Sequence, residues 1–410
     1  MNVGIEAINA YVGQTFLDVR TLFEARGLDL ARFDNLMMEK KAVGLPCEDP
    51  VTNAVNAAKP IIDQLSEADK NSIELLITAT ESGLDFGKSL STYIHDYLGL
   101  SRQCRLFEVK QACYAGTAGL QMAVNYVAAQ PFANTKALVI ATDAARSTSK
   151  ETYAEPSMGI GAVAMLVSRQ PDIMALDLGA TGLYSYEVMD TCRPQPNVEL
   201  GDPDLSLLSY LDCLEGAYQA YQDRVDGVDV QHTFDYMAFH TPFAGMVKGA
   251  HRKLLRSVKK LPPPDIEADF QARLGPSLSY CVQVGNIYSA TVHLALCSLI
   301  DNADIDRPKR VGLFSYGSGC ASEFYSGVVT PTAKEKLGRM GIAQRLAQRH
   351  ELSMTEYDHL LDLNDAWLFG IQDKTVEING YAGIYDRQFA GRGLLVLNKV
   401  EGFHRVYEWS

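Results

Sequence analysis

The stretch EVKQACYAGTAGLQ (residues 108–121) surrounds one thiol with small residues. Ala112, Ala115, Gly116, Ala118 and Gly119 flank Cys113. FEVKQAC closes an apolar run, and YAGTAGLQMAVNYVAAQ places Leu120, Val124 and Val127 on one helical face. The stretch therefore reads as a strand that turns into a helix. A thiol packed in a core is expected among bulky apolar neighbours, whereas small residues leave room for a substrate to reach sulfur and backbone. At a helix N-terminus the dipole and free N–H groups favour thiolate and can hold an oxyanion. The plainer alternative is a small buried hydrophobe.

Outward from this junction the same alternation continues. IELLITAT, KALVIAT, GAVAMLVS, DYMAFH, RVGLFSYG and GLLVLNKV are short apolar runs suited to buried parallel strands, with helix-like stretches between them. That alternation predicts an α/β layered fold. The order is also duplicated. LLITATES, the Cys113 helix, LVIATDAA and GAVAMLVS are echoed by YMAFHTPF, the helix of GNIYSATVHLAL, GLFSYGSG and GLLVLNKV. Two similar βαβαβ halves are expected, at residues 1–167 and 168–410. LPPPD (261–265) breaks a basic helix-like run.

The bulk composition excludes several classes. The chain has 410 residues, 47% of them hydrophobic, enough for a large core. A formal net charge of -13 argues against nonspecific binding to nucleic acid or to an anionic membrane. The eight cysteines show no CxxC and no zinc spacing, and MNVGIEAINAYVGQ has no basic head before an apolar run. Reduced thiols and a cytoplasmic location are expected. CVQVGNIYSATVHLALCSLI carries Gln283, Asn286 and His293, which suits a buried helix better than a membrane span.

Polar residues recur at the ends of the strands. Glu81, in LLITATESGLDF, falls just past a buried strand, at the sheet edge where α/β proteins bind ligands. Burial there would bring it toward the proton-transfer range. His240, in DYMAFHTPF, ends another strand before a Thr-Pro break and suits carbonyl activation as neutral imidazole. Asn286 and Ser318 sit in the Gly-flanked segments GNIYSAT and SYGSGCASEF, whose amides could fix a thioester carbonyl. Singly, each has a bland reading: a solvated loop glutamate, a satisfied core histidine, a common glycine turn. Together they suit carbon–carbon bond formation through an acyl-cysteine, with thiol as acyl carrier, carboxylate as base and histidine polarising a second carbonyl.

As an ordered set, ATES, EVKQACYAGTAGLQ, VIATDAAR, EPSMGIGAVAML, FHTPF, VGNIYSAT and LFSYGSG resemble the 3-hydroxy-3-methylglutaryl-CoA synthase family of the thiolase superfamily, from about residue 3 to 330. The resemblance implies a thiolase-like layered fold. It places the nucleophile on Cys113, the general acid/base on Glu81 and the acetoacetyl-binding histidine on His240. It assigns Asn286, Ser318, Tyr114, Ser157 and Asp143 to substrate binding. After FHTPF, however, Gly245 and Gly249 stand where the isoprenoid-pathway enzyme has CoA-binding lysines, and only Lys248 is kept. MDTCRPQPNVELGDPDLSLLSYLDC and the C-terminal NGYAGIYDRQFAGRGLLVLNKVEGFHRVYEWS look like the polyketide β-branching branch.

That branch implies donor and acceptor acyl carrier proteins as partners and acyl groups delivered on phosphopantetheine. No metal, nucleotide or redox cofactor is implied. Dehydratase and decarboxylase partners follow downstream, and a homodimer is usual for the superfamily. The basic run KGAHRKLLRSVKK, with Lys248, Arg252, Lys253 and Arg256, and also Arg32 near Lys40 and Lys41, would steer an acidic carrier. A solvated helix face is the plainer account of such a run. Rival activities are the CoA-dependent parent enzyme, a ketoacyl synthase with a Cys-His-Asn set, and a non-catalytic carrier-binding scaffold. Glu81 weighs against the ketoacyl synthase, because decarboxylative condensation needs no such base.

Overall fold

The computed structural model describes residues 2–144, 150–152, 154–195, 198–364 and 369–410. The final residues of the VIATDAAR motif, Ala145 and Arg146, lie outside them. One mixed sheet contains nine strands: β1 (Gly4–Tyr11), β2 (Ile73–Ala79), β3 (Arg105–Val109), β4 (Lys136–Ala144), β5 (Ile160–Ser168), β6 (Met174–Ser185), β7 (Tyr236–Phe239), β8 (Lys309–Gly317) and β9 (Ala321–Val329). Their spatial order is β7-β8-β9-β6-β1-β5-β4-β2-β3.

This order carries the duplication. From the centre outward, the first half reads β1, β5, β4, β2 and the second reads β6, β9, β8, β7. In each half two antiparallel pairings are followed by a parallel one. β1 and β6 meet antiparallel at the middle. The proposed division at residues 167 and 168 falls at the close of β5.

Each half also wraps helices on its strands. α1 (Leu30–Leu36) lies apart near the site, α2 (Pro50–Ile62) and α3 (Ala115–Ala129) pack on β4 and β5, α4 (Pro203–Arg224) packs on β6 and β9, α5 (Ala244–Lys259) follows β7, and α6 (Thr291–Asn302) packs on β7 and β8. β4 and β5 are buried almost throughout, which is why they read as unbroken apolar runs.

One expected repeat partner is wrong. GLLVLNKV does not answer GAVAMLVS. Leu395–Glu401 instead pairs with Lys374–Thr375 and His404–Trp409 in a separate small sheet. The true counterpart of β5 is β9, ASEFYSGVV, whose serines and glutamate hide a buried strand. Ser322 Oγ donates to the Tyr184 carbonyl at 2.6 Å, and Glu323 accepts from Tyr114 and Gln121. Satisfied polar groups can be buried without an apolar signature.

The small residues around Cys113 have a packing cause that the sequence reading did not anticipate. A Cβ on Gly116 would lie 2.2 Å from the Ser289 carbonyl and 3.1 Å from His293 Cε1. A Cβ on Gly119 would press on Val139 and Ile77. The first turn of α3 thus touches the second half of the chain at Gly116, with no room for a side chain there, while Gly119 lies close on the strands of its own half. Gly116→Ala is expected to lower stability by about 1–3 kcal/mol through overpacking. Gly249→Ala, which meets open space, serves as the control. Equal apparent melting temperatures for the two variants would contradict this packing.

Candidate active site

Each central element delivers one polar group to the same place. Cys113 sits two residues before α3, where Ala112 has φ +42° and bends the chain sharply out of the strand. The turn lies on Gly317, where a Cβ would be 2.5 Å from the Tyr114 amide nitrogen and 2.6 Å from the Gln111 carbonyl. The glycine of SYGSG is therefore required by the nucleophile turn from the other half. Glu81 follows β2 and its backbone N–H donates to Asp143 Oδ1 at 2.8 Å. His240 follows β7. Its N–H donates to the Phe314 carbonyl at 2.8 Å, and its own carbonyl accepts from Tyr210 at 2.7 Å.

Glu81, Cys113, His240, Asn286, Ser318 and Ser157 all line one cavity of about 1630 Å³. Asn286 Oδ1 accepts from the Tyr288 N–H and from Thr291 Oγ1, both at 2.9 Å, so Nδ2 is the donor it offers the cavity. Ser157 spends its hydroxyl on the Ala154 carbonyl at 3.1 Å, while its carbonyl receives the Asn286 N–H at 2.6 Å. The Ser318 carbonyl accepts from Gln111 Nε2 at 3.4 Å.

Two expected substrate-binding residues do not reach the cavity. The Tyr114 phenol turns away and donates to Glu323 Oε2 at 2.8 Å. Asp143 is fully buried behind the site. Its Oδ1 accepts from Thr80, from the Glu81 and Ser82 backbone and from the Ser82 hydroxyl at 2.8–3.0 Å, and its Oδ2 accepts from the Ser289 N–H at 3.0 Å and its hydroxyl at 2.5 Å. It ties the Glu81 turn to the segment that follows Asn286, which makes it a positioning group.

The electrostatics overturn one expectation. Helix-end placement was expected to lower the Cys113 thiol. Burial instead pushes it well above the ordinary thiol value, and Glu81, Asp143 and Glu199 push in the same direction, with Arg193 opposing. The resting sulfur is therefore a thiol, and the charge must be generated as acyl transfer occurs. Burial also drives His240 down to about 3, so its imidazole is neutral across physiological pH. Its Nδ1 has no hydrogen-bond partner.

Sequence reasoning missed a group on this wall. A two-stranded ribbon, Thr191–Gln195 paired with Val198–Gly201, brings Arg193 and Glu199 to the cavity. Arg193 Nη2 lies 2.6 Å from Glu199 Oε2 and 3.5 Å from Glu81 Oε1, and its guanidinium covers the Tyr288 ring at 5.7 Å. Arg193 is thus a cation beside the Glu81 carboxylate that the sequence reading did not weigh. The oppositely charged pair six residues apart in TCRPQPNVEL was the available signal.

The basic groups are partly spoken for. Arg32, on α1, lines the cavity. Lys248 pairs with Glu267 and Lys253 with Glu215, both at 2.8 Å, while Arg252 and Arg256 are exposed on α5. Among the described residues no group of three or more His, Cys, Asp or Glu side chains converges as a metal site would require. Nor is any helix among them long and apolar enough to cross a membrane.

The models for the hydroxymethylglutaryl-coenzyme A synthase N-terminal and C-terminal regions match residues 1–172 and residues 174–262 and 264–376. The fold and cavity belong to an acyl-transferring, carbon–carbon bond-forming synthase of thiolase-like architecture. The chain is a member of the hydroxymethylglutaryl-coenzyme A synthase family. It is 54% identical to the polyketide biosynthesis 3-hydroxy-3-methylglutaryl-ACP synthase PksG of Bacillus subtilis, over 100% of this chain and 99% of that one. It is 35% identical to the hydroxymethylglutaryl-CoA synthase of Enterococcus faecalis, over 87% of this chain and 91% of that one. The solved HMG synthase of the curacin biosynthetic pathway superposes with a TM-score of 0.97 at 58% identity, each chain covered fully, and has also been solved in complex with acetyl donor-ACP at 57% identity.

A neutral His240 ring has a direct signature. Its ring resonances are expected to stay constant from pH 8 to pH 5 in an NMR titration, because its pKa lies near 3. A midpoint near the ordinary histidine value would contradict the burial of this ring.

Proposed function

We propose that this chain is a β-branching HMG synthase of polyketide biosynthesis, taking acetyl from a donor acyl carrier protein and adding it to the β-ketone of a polyketide on an acceptor carrier. The observation that carries this reading is the convergence of Cys113, Glu81 and His240 on one cavity larger than the roughly 300–1,000 Å³ of ordinary ligand sites. Such a cavity has room for a pantetheine arm together with a growing chain.

The steps follow from the groups present. The Cys113 sulfur attacks the acetyl thioester, the carrier leaves as its thiol, and acetyl-cysteine remains. Glu81 takes a methyl proton. The enolate carbon then bonds to the β-carbonyl carbon, and that oxygen becomes an alkoxide. Neutral His240 hydrogen-bonds the developing alkoxide, and protonated Glu81 returns its proton. Asn286 and Ser318 hold the thioester carbonyl. Water then cleaves the acyl-cysteine, releasing a carboxymethyl branch on the acceptor and restoring the thiol. The acyl groups arrive on phosphopantetheine, and the product suits a dehydratase followed by a decarboxylase. The enzyme works as a cytoplasmic homodimer. Arg32 and the exposed Arg252 and Arg256 face the acidic carriers, with Lys248 and Lys253 contributing to the same surface.

Donor choice has a structural correlate. A Cβ on Gly245 would lie 1.8 Å from the Asn35 carbonyl, so α5 packs against the backbone of α1 and excludes a lysine there. Gly249 meets nothing within 4 Å. Gly249→Lys is therefore expected to fold normally and to raise activity with acetyl-CoA, while Gly245→Lys disrupts the α1–α5 contact. A Gly249→Lys enzyme with no gain from CoA would remove this account of donor choice.

The chemistry separates by variant. Cys113→Ala is expected to form no acetyl adduct by intact-protein mass. Glu81→Gln is expected to form the adduct and then stall, with turnover reduced by about 10²–10⁴-fold, the usual share of general acid–base catalysis. Full turnover by Glu81→Gln would refute the assigned base.

A further inference from the structure

Arg193 is built into the site in a way that the steps above do not use. Its side chain is only 16% exposed. Nη1 donates to the Glu81 carbonyl at 3.1 Å, and Nη2 reaches both the Glu81 carboxylate, at 3.5 Å, and Glu199 Oε2, at 2.6 Å. Tyr288 lies under the guanidinium plane. One planar fork thus touches the backbone and the side chain of the same glutamate.

We propose that Arg193, anchored by Glu199 across the ribbon, is a positioning residue that aims the Glu81 carboxylate at the methyl group of acetyl-Cys113. The proposal rests on the acyl-cysteine reading above. A glutamate has several rotatable bonds, and a base must lie within hydrogen-bond reach of the proton it takes. Arginine suits the task because its donors are fixed in a plane, whereas a lysine ammonium is a single point charge on a flexible stem. Glu199 fixes the fork from the opposite side. It sits on the second strand of the same ribbon, so ribbon pairing and guanidinium orientation are set together. The guanidinium also opposes the three carboxylates that raise the Cys113 thiol. Loading and proton abstraction must therefore be read separately.

The test follows deuterium entry into the acetyl methyl group. Wild type, Arg193→Lys, Arg193→Gln and Glu199→Gln are each mixed in D2O with acetyl-CoA and, separately, with acetyl-loaded carrier. Intact mass gives the fraction of acetyl-enzyme, and the mass of the released acetyl group gives deuterium uptake. Proton removal by Glu81 and return from a solvent-exchanged carboxyl replaces C–H by C–D, so atoms balance without a second substrate. Uptake per acetyl-enzyme is expected to fall about a hundredfold in Arg193→Gln, the scale of a misplaced catalytic group. It is expected to fall less in Glu199→Gln and to recover in part in Arg193→Lys, at unchanged melting temperature. Unchanged uptake per acetyl-enzyme in Arg193→Gln overturns the proposal. If that variant does not fold, the same comparison is made with Arg193→Lys, and wild-type uptake there overturns it equally. A wild type loaded by CoA but not by carrier contradicts the donor reading alone, since uptake remains measurable. A wild type that loads but takes up no deuterium overturns the positioning role, because no base then acts on the methyl group.

Discussion

The buried carboxylate of Asp143 is the contact on which the site depends. It reaches across the junction of two half-sheets and gathers donors from both: the Glu81 turn on one oxygen and Ser289 on the other. Charged hydrogen bonds of this kind are short and strong, and removing one partner of a buried set strands the others. The base therefore stands at a fixed place relative to Asn286, although the two lie 205 positions apart in sequence (286 − 81). Glycines complete the junction by letting backbones touch. Gly116 meets Ser289, and Gly317 meets the Cys113 turn.

Burial of the Cys113 and His240 side chains sets the chemistry. Cys113 is held as a thiol and His240 as neutral imidazole, so neither carries charge at rest. An uncharged pair suits an enzyme that must bind a thioester before creating a nucleophile and must stabilise an alkoxide only once it forms. Beside them, one wall of the cavity carries the Glu81–Arg193–Glu199 cluster, in which a single guanidinium is shared by two carboxylates.

Much of this was legible in the chain. The runs buried on both faces, IELLITAT and KALVIAT among them, announced parallel strands, and the polar residues at their ends announced the cavity. What stayed hidden has a physical reason in each case. β9 escaped notice because its Ser322 and Glu323 are buried but hydrogen-bonded, while GLLVLNKV drew attention because an apolar run does not say which sheet it joins. Asp143 was recognised by its motif but given the wrong task, since a sequence shows a carboxylate without its donors. Arg193 was quoted only as part of a branch-specific segment, because an arginine is informative only once the residues facing it are known. The thiol was misjudged because a helix end is a local feature, whereas desolvation and three distant carboxylates are not.

The donor is the central claim, and the rate of acetyl-Cys113 formation tests it most directly. Intact-protein mass is followed in time after mixing with acetyl-loaded carrier protein and, separately, with acetyl-CoA at the same concentration. Much faster formation of the adduct from the carrier is the predicted result. Fast acetylation by free CoA, with the carrier inert, would contradict the account and assign the chain to CoA-dependent chemistry.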